Sequence, residues 1–334
     1  MTMTATIELA PGLTPVTLDT IPVIDIAPLR AGDMSPALEI GRACREIGFF
    51  YITNHGIPQA VIDEVLAQAK RFFDLPLAEK EKSAIEHSSC HRGWFRVGGE
   101  NLDPAKQKYN GDLKEGFKIG RDLALDHPRV VAGLPLHGPD VWPDLPGWRA
   151  VMQDYYERMV ELGTLLLRAF AVALDLKPDY FEGWLEVPMT TLGPLHYPAQ
   201  TGHITEAQIG AGAHTDYGCL TILYQDNSGG LQVQGVDGRW LAAPPIPGSF
   251  VVNIGDMMER WTNGVFRSTL HRVVNSSGQD RYALPFFFDP DFYAPVACLP
   301  TCLKPGEAPK YPPTMAGQHL LDMIAAAFTY CQKK

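Results

Sequence analysis

The chain has 334 residues and a formal charge of -10, from 38 acidic against 28 basic side chains, which argues against nucleic-acid binding through a basic face. Its 46% hydrophobic content supports a large core, without an uninterrupted apolar run of about 18 residues for a transmembrane helix. The opening Met1 to Thr6 lacks the basic start and apolar stretch of a secretory signal, so the expectation is a soluble cytoplasmic protein with no membrane or nucleic-acid partner.

In chain order, apolar spacing predicts helices over 35–47 and 58–73, with Pro58 at the first position of the second. Residues 84–148 are rich in Gly, Pro, His and aromatics and read as an irregular cover, the kind of loop that carries specificity. Apolar side chains at helical spacing over 151–175, including Leu165-Leu166-Leu167, predict a long buried support helix. Strands dominate from 188 to 292, with Asn263-Gly264 as a two-residue hairpin signal, and a final helix is expected over 315–331. The division that follows is a cap region over 1–150, with helices and substrate-side loops, and a core over 151–334 with its support and C-terminal helices.

The most informative residues are His214-Thr215-Asp216. Residues 213–225 (AHTDYGCLTILYQ) are rich in β-branched and aromatic types and read as a strand, in which i and i+2 share a face. His214 and Asp216 then project together. None of the other nine His begins an HxD or HxE triplet. His271 lies in a second strand-like run, Thr269 to Val274, and two His with one carboxylate on a rigid sheet match the facial triad that leaves part of an iron ion open. Further on, Arg281 opens the apolar run Arg281-Tyr282-Ala283-Leu284-Pro285-Phe286-Phe287-Phe288. A guanidinium in such a stretch is costly unless it meets an anion, and the simplest partner is the carboxylate of a bound acid.

The order of these pieces resembles the isopenicillin N synthase-like branch of the Fe(II) and 2-oxoglutarate-dependent oxygenases, over nearly the whole chain. Ile21 to Ile26 and the stretch from Gly48-Phe49-Phe50 to Asn54-His55-Gly56-Ile57-Pro58 resemble the opening of that branch. Gly230 to Val233, Val252-Asn253-Ile254-Gly255-Asp256, Thr262-Asn263-Gly264 and His271-Arg272-Val273 resemble its core. The resemblance implies a mainly β fold with flanking helices: a double-stranded β-helix, or jelly roll, behind an N-terminal α/β cap. It implies His214, Asp216 and His271 as Fe(II) ligands, Arg281 as the anchor of the remote carboxylate of 2-oxoglutarate, and Tyr197 as a hydrogen-bonding partner of the same group. The implied function is a dioxygenase that uses O2 and the oxidative decarboxylation of 2-oxoglutarate to hydroxylate, desaturate or cyclise a small organic substrate. Phe286, Phe288, Leu223 and Leu231 are expected to face or flank the substrate pocket.

Two positions depart from the branch. Ala283 stands where many members carry a Ser, and Leu195 where the plant enzymes carry an Asn. A missing hydrogen bond to a charged group costs about 1.5–3 kcal/mol, roughly ten- to a hundred-fold in affinity. The same ligand set also fits a 2-oxoglutarate-independent Fe(II) oxidase of the isopenicillin N synthase type, and the fold also serves catalytically silent binding proteins.

The six cysteines, at 44, 90, 219, 298, 302 and 331, form no CxxC pair and read as reduced structural thiols. His55 belongs to a turn, His196 should point away from Tyr197, and His91, Arg92 and Arg96 could meet an acidic substrate from the loop region, although exposed basic residues are usually just solvated. Asp112 to Phe117 resembles a segment of bacterial members whose chemistry suggests no role.

Overall fold

Residues 7–16, 21–108 and 111–328 are described in a computed structural model of the protein. Nine strands, β1 (Val23–Asp25), β2 (Phe49–Thr53), β3 (Gly93–Phe95), β4 (Glu115–Lys118), β5 (Thr191–Leu192), β6 (Leu195–Tyr197), β8 (Leu220–Gln225), β11 (Ser249–Ile254) and β13 (Arg281–Phe288), form the larger sheet. Its order is β1-β2-β11-β8-β13-β6-β4-β3, with β5 paired to β13. A second sheet of β7 (Ala211–His214), β9 (Leu231–Gln234), β10 (Trp240–Ala242) and β12 (His271–Val273) runs β10-β9-β12-β7. Side chains of both sheets, among them Val251 and Ala283 from the larger and Leu231 and Val273 from the smaller, meet in one buried cluster. This is the jelly-roll arrangement.

Helices cover the outer face of the larger sheet because each carries one apolar stripe. They are α1 (Ala37–Glu46), α2 (Gln59–Phe73) and α3 (Trp148–Ala173), and their buried residues join Phe50, Ile222, Val252 and Leu284 in the main core. Among the described residues no helix is long and apolar enough to cross a membrane.

Strand parity on β13 corrects one expectation. Its side chains alternate: Tyr282, Leu284, Phe286 and Phe288 enter the helix-facing core, whereas Arg281, Pro285 and Phe287 line the internal cavity. Phe286 and Phe288 are therefore core residues and do not line the cavity. Phe286 packs edge-on against Tyr156 of α3, at 5.4 Å between ring centroids, and the Phe288 ring occupies the space a Cβ at Gly163 would need. Phe288→Ala is expected to lower unfolding free energy by about 3–5 kcal/mol in a denaturant titration, the cost of emptying a well-packed aromatic site. Metal affinity should stay within about threefold of the parent, because the cavity face of β13 is untouched.

Three more expectations change. Residues 213–225 are not one strand: β7 stops at His214, a bend spans Tyr217 to Cys219, and β8 begins at Leu220. Within 84–148 the structure has two strands, β3 and β4, so chain on both sides of residue 150 pairs in one sheet. Asn263-Gly264 closes no hairpin. It follows α4 (Asp256–Trp261) with φ of 56° and 79°, and the Gly264 amide donates back to the Glu259 carbonyl at 2.8 Å. The same left-handed preference that builds a two-residue hairpin turn also terminates a helix. The closing helix, α5, spans Ala316–Ala327, and the remainder of the expected 315–331 run beyond 328 lies outside the described residues. Cys44, Cys90, Cys219, Cys298 and Cys302 are free thiols, and Cys331 lies outside the described residues.

Candidate metal centre and active site

His214 ends β7 and His271 begins β12. These strands are antiparallel neighbours with the two His directly opposed in register, so cross-strand pairing brings the imidazoles to 4.2 Å between centroids. Asp216 reaches the same point from the bend, where the chain leaves the smaller sheet for the larger. The Asp216 carbonyl accepts from the Asp256 amide at 2.8 Å, and a Cβ at Gly218 or Gly255 would collide with neighbouring atoms. The bend therefore needs glycine at both close approaches. His214 Nε2 lies 3.8 Å and His271 Nε2 3.6 Å from Asp216 Oδ1, and the three atoms all lie within 4.8 Å of one another.

The outward side of each group is already committed. His214 Nδ1 donates to the Gly212 carbonyl at 2.7 Å and His271 Nδ1 to the Thr269 carbonyl at 3.1 Å, which leaves both Nε2 lone pairs facing inward. Asp216 Oδ2 accepts from Asn253 Nδ2 at 2.7 Å and from the Thr221 hydroxyl, so Oδ1 remains for an ion. Burial, reinforced by the neighbouring His271, pushes the His214 imidazole down to about 3, so it is neutral at physiological pH. Burial opposes the charged form of Asp216, but His271, His214 and Asn253 outweigh it and hold the carboxyl well below its usual range; against its own burial, His271 is raised in turn by Asp216, so a metal ion would take the Nε2 position from a proton shared with that carboxylate. Two inward nitrogen lone pairs and one inward carboxylate oxygen fit a divalent iron.

Asn253 and Thr221 are functional residues that sequence reasoning missed. Asn253 lies in a segment that carries the family resemblance, but a polar side chain in a strand gives no sign of what it touches. Asn253→Ala is expected to weaken Fe(II) binding by about ten- to a hundred-fold with the fold intact, the scale for losing a group that orients a ligand. Equilibrium dialysis against Fe(II) under anaerobic conditions measures it.

The triad opens on a cavity of about 150 Å³ between the sheets. Leu223 and Leu231 line it, as the sequence suggests, together with Leu102, Leu195, Leu320 and Ile324. Arg281 and Tyr197 also line it and are register partners on β13 and β6. The guanidinium lies over the Tyr197 ring, 4.7 Å from its centroid, and is 1% exposed. Its Nε donates to the Gly229 carbonyl at 2.6 Å and Nη2 to Gln225 Oε1 at 3.4 Å, but the buried Nη1 has no hydrogen-bond partner. An orphaned guanidinium nitrogen beside a cavity is what a carboxylate ligand would satisfy.

Other singled-out residues fall on either side of this boundary. Cys219 turns its thiol to Met257 in the main core. His196 stacks on Tyr282 and bonds Glu115 through Nδ1 at 2.9 Å, away from the cavity. Arg96 is exposed near Glu81, whereas Arg92 is buried against Asp140 at 3.2 Å and, with His91, lines the cavity, contrary to the expected solvation of both. Asp112 and Lys114, from the segment without an evident role, belong to a buried ion cluster. Lys114 Nζ meets Glu100 at 2.7 Å and Asp112 at 2.9 Å, and Asp112 accepts from the Gly212 amide at 2.8 Å, bracing the strand that carries His214.

Comparison with known proteins agrees with this geometry. Residues 21–145 match the profile of the non-haem dioxygenase N-terminal region named for morphine synthesis, and residues 194–290 match the 2OG-Fe(II) oxygenase superfamily. A 2-oxoglutarate-Fe(II) type oxidoreductase of Emericella nidulans is 37% identical over 317 residues, covering 92% of this chain and 89% of its own. A homoarginine-6-hydroxylase of Arabidopsis thaliana is 38% identical over 327 residues, with 92% and 89% covered. Among solved structures, a full-length Neurospora crassa protein crystallised in complex with alpha-KG superposes with a TM-score of 0.81 at 31% identity, covering 93% of this chain and 98% of that one. The chain belongs to the 2OG-Fe(II) oxygenase superfamily, a non-haem iron oxygenase of the isopenicillin N synthase-like branch.

Proposed function

We propose that His214, Asp216 and His271 are the Fe(II) ligands and that Arg281, with Tyr197 beneath it, holds the remote carboxylate of 2-oxoglutarate. The enzyme then couples oxidative decarboxylation of 2-oxoglutarate to oxidation of a small organic substrate. The observation that carries this reading is the convergence of three inward donor atoms, each fixed from behind, on a cavity that also contains an unsatisfied guanidinium nitrogen. Bound there, Fe(II) and 2-oxoglutarate supply the oxidising chemistry, consuming O2 and releasing succinate and CO2. The residues of this chain orient and exclude. Thr221 and Asn253 keep Asp216 Oδ1 aimed at the ion, the Gly212 and Thr269 carbonyls set the imidazole tautomers, and the apolar walls keep bulk water from the reacting centre. No acid–base dyad is needed.

The lack of a hydroxyl at Ala283 is answered locally. Gly229 and Gln225 already fix the guanidinium plane, so a carboxylate meets a donor held in place without help from residue 283. Anaerobic titration of the Fe(II) protein with 2-oxoglutarate should produce a saturable visible charge-transfer band, the signature of a chelated acid. Iron-loaded protein that shows no band at millimolar 2-oxoglutarate would instead assign Arg281 and Tyr197 to the carboxylate of the prime substrate, as in an oxidase that draws all its electrons from that substrate.

A further inference from the structure

Lys118 ends β4, and the pleat of that strand divides its side chains between two environments. Glu115 faces outward to Lys80, Trp94 and His196, and Phe117 enters the main core, whereas Lys118 lines the cavity that holds the triad. Its residue is only 8% exposed. The ammonium is enclosed by three rings, with Nζ 4.9 Å from the Phe287 centroid, 5.6 Å from Phe95 and 5.8 Å from Phe328. Ring faces stabilise a cation but accept no conventional hydrogen bond.

The other cations of this cavity have oxygen partners. Arg92 pairs with Asp140, Lys114 is held between Glu100 and Asp112, and Arg281 is bonded to Gly229 and Gln225. Among the described residues Lys118 makes no ion pair within 4.0 Å and no hydrogen bond; the Glu100 carboxylate of the same cavity favours its charge from farther off but is bonded to Lys114, so the ammonium's N–H donors face the cavity without a contacting acceptor. A buried cation in that condition calls for an anion. Lys118 sits by Phe287, six residues and roughly 20 Å of strand backbone along β13 from Arg281, so it stands at a different part of the cavity wall from the Arg281 anchor.

We propose that Lys118 is the anchor for a carboxylate of the prime substrate, which is therefore a small organic acid with an apolar carbon skeleton. The acid group meets Lys118 Nζ from the cavity side that the Phe95, Phe287 and Phe328 rings leave open, and Leu136 and Leu320 of the cavity wall offer apolar surface to the skeleton. The assignment rests on the Fe(II) and 2-oxoglutarate reading of the site and adds the chemical class of the molecule it oxidises.

The test uses the full chain, loaded anaerobically with Fe(II) and 2-oxoglutarate and carrying its charge-transfer band. Matched acids and amides are titrated by calorimetry: benzoate with benzamide, 3-phenylpropionate with 3-phenylpropionamide, hexanoate with hexanamide. At least one acid should bind about ten- to a hundred-fold tighter than its amide, the scale of one charged hydrogen bond. That preference should fall to about twofold or less in Lys118→Met and persist in Lys118→Arg, while the band is unchanged in both, which also reports an intact fold. Equal binding of acid and amide in all three pairs of the parent protein, or a preference that survives Lys118→Met, overturns the assignment. Absence of the band in the parent is a separate result, and it sinks the 2-oxoglutarate reading itself.

Discussion

Asp216→Ala is expected to abolish Fe(II) retention and to reduce turnover by more than about a thousandfold. Asp216 supplies the one negative charge of the triad, and its Oδ1 lies within 4 Å of both imidazole Nε2 atoms. Truncation removes the charge and also leaves the Asn253 amide and the Thr221 hydroxyl without their acceptor in a buried site. Truncating one member of a buried hydrogen-bonded charge pair costs about 2–5 kcal/mol, and about 4 kcal/mol corresponds to a thousandfold. Asp216→Asn separates the two contributions. It keeps the shape and a lone pair at one oxygen but loses the charge, so its Fe(II) affinity should fall between those of the parent and the alanine variant. Anaerobic dialysis with Fe(II), read by metal content, decides the matter. Stoichiometric iron at parental affinity in Asp216→Ala would place the metal elsewhere.

The second large effect is expected at Arg281. Arg281→Ala should weaken 2-oxoglutarate binding by about a hundred- to a thousand-fold, or about 3–4 kcal/mol, with Fe(II) binding unchanged. The guanidinium is pre-positioned by the Gly229 carbonyl, the Gln225 amide oxygen and the Tyr197 ring, so little ordering is left to be done when the acid arrives. Arg281→Lys restores a charge without the planar fork and should recover only part of the loss. Tyr197→Phe keeps the ring under the guanidinium and removes only the hydroxyl, so a loss of about ten-fold or less is expected. Titration of the charge-transfer band in each variant gives the affinities. An Arg281→Ala protein that retains parental 2-oxoglutarate affinity would show that the orphaned Nη1 serves some other anion.

These two experiments bear on residues that sequence reasoning singles out, and the structure shows why they could be found. His214, Asp216, His271 and Arg281 are chemically conspicuous: ionisable side chains in runs otherwise built for burial, where only a partner justifies the cost of desolvation. Their spacing was less informative than it looked. His214 and Asp216 converge because a glycine-dependent bend carries the chain between two sheets, and strand alternation plays no part, since β7 has already ended at His214. The expectation for Phe286 and Phe288 failed on the same period. Alternation along β13 is strict, so Arg281 fixes the cavity parity, and from Arg281 the odd-numbered Phe287 faces inward while its two neighbours turn to α3.

The sequence by itself determined the mainly β class and the three long helices to within a few residues, and it singled out His214, Asp216, His271 and Arg281, which the fold brings to one cavity. Those features are local, or depend on residue types whose burial is costly enough to announce a role. Only the tertiary structure decided that Asn253 and Thr221 hold Asp216, that Glu100, Lys114 and Asp112 brace β7, and that Lys118 stands in an aromatic cage without an acceptor. A Lys or Asn looks the same in a sequence whether it faces solvent or a cavity. What distinguishes them is which distant strands pack on either side, and that is set by sheet pairing across more than a hundred residues.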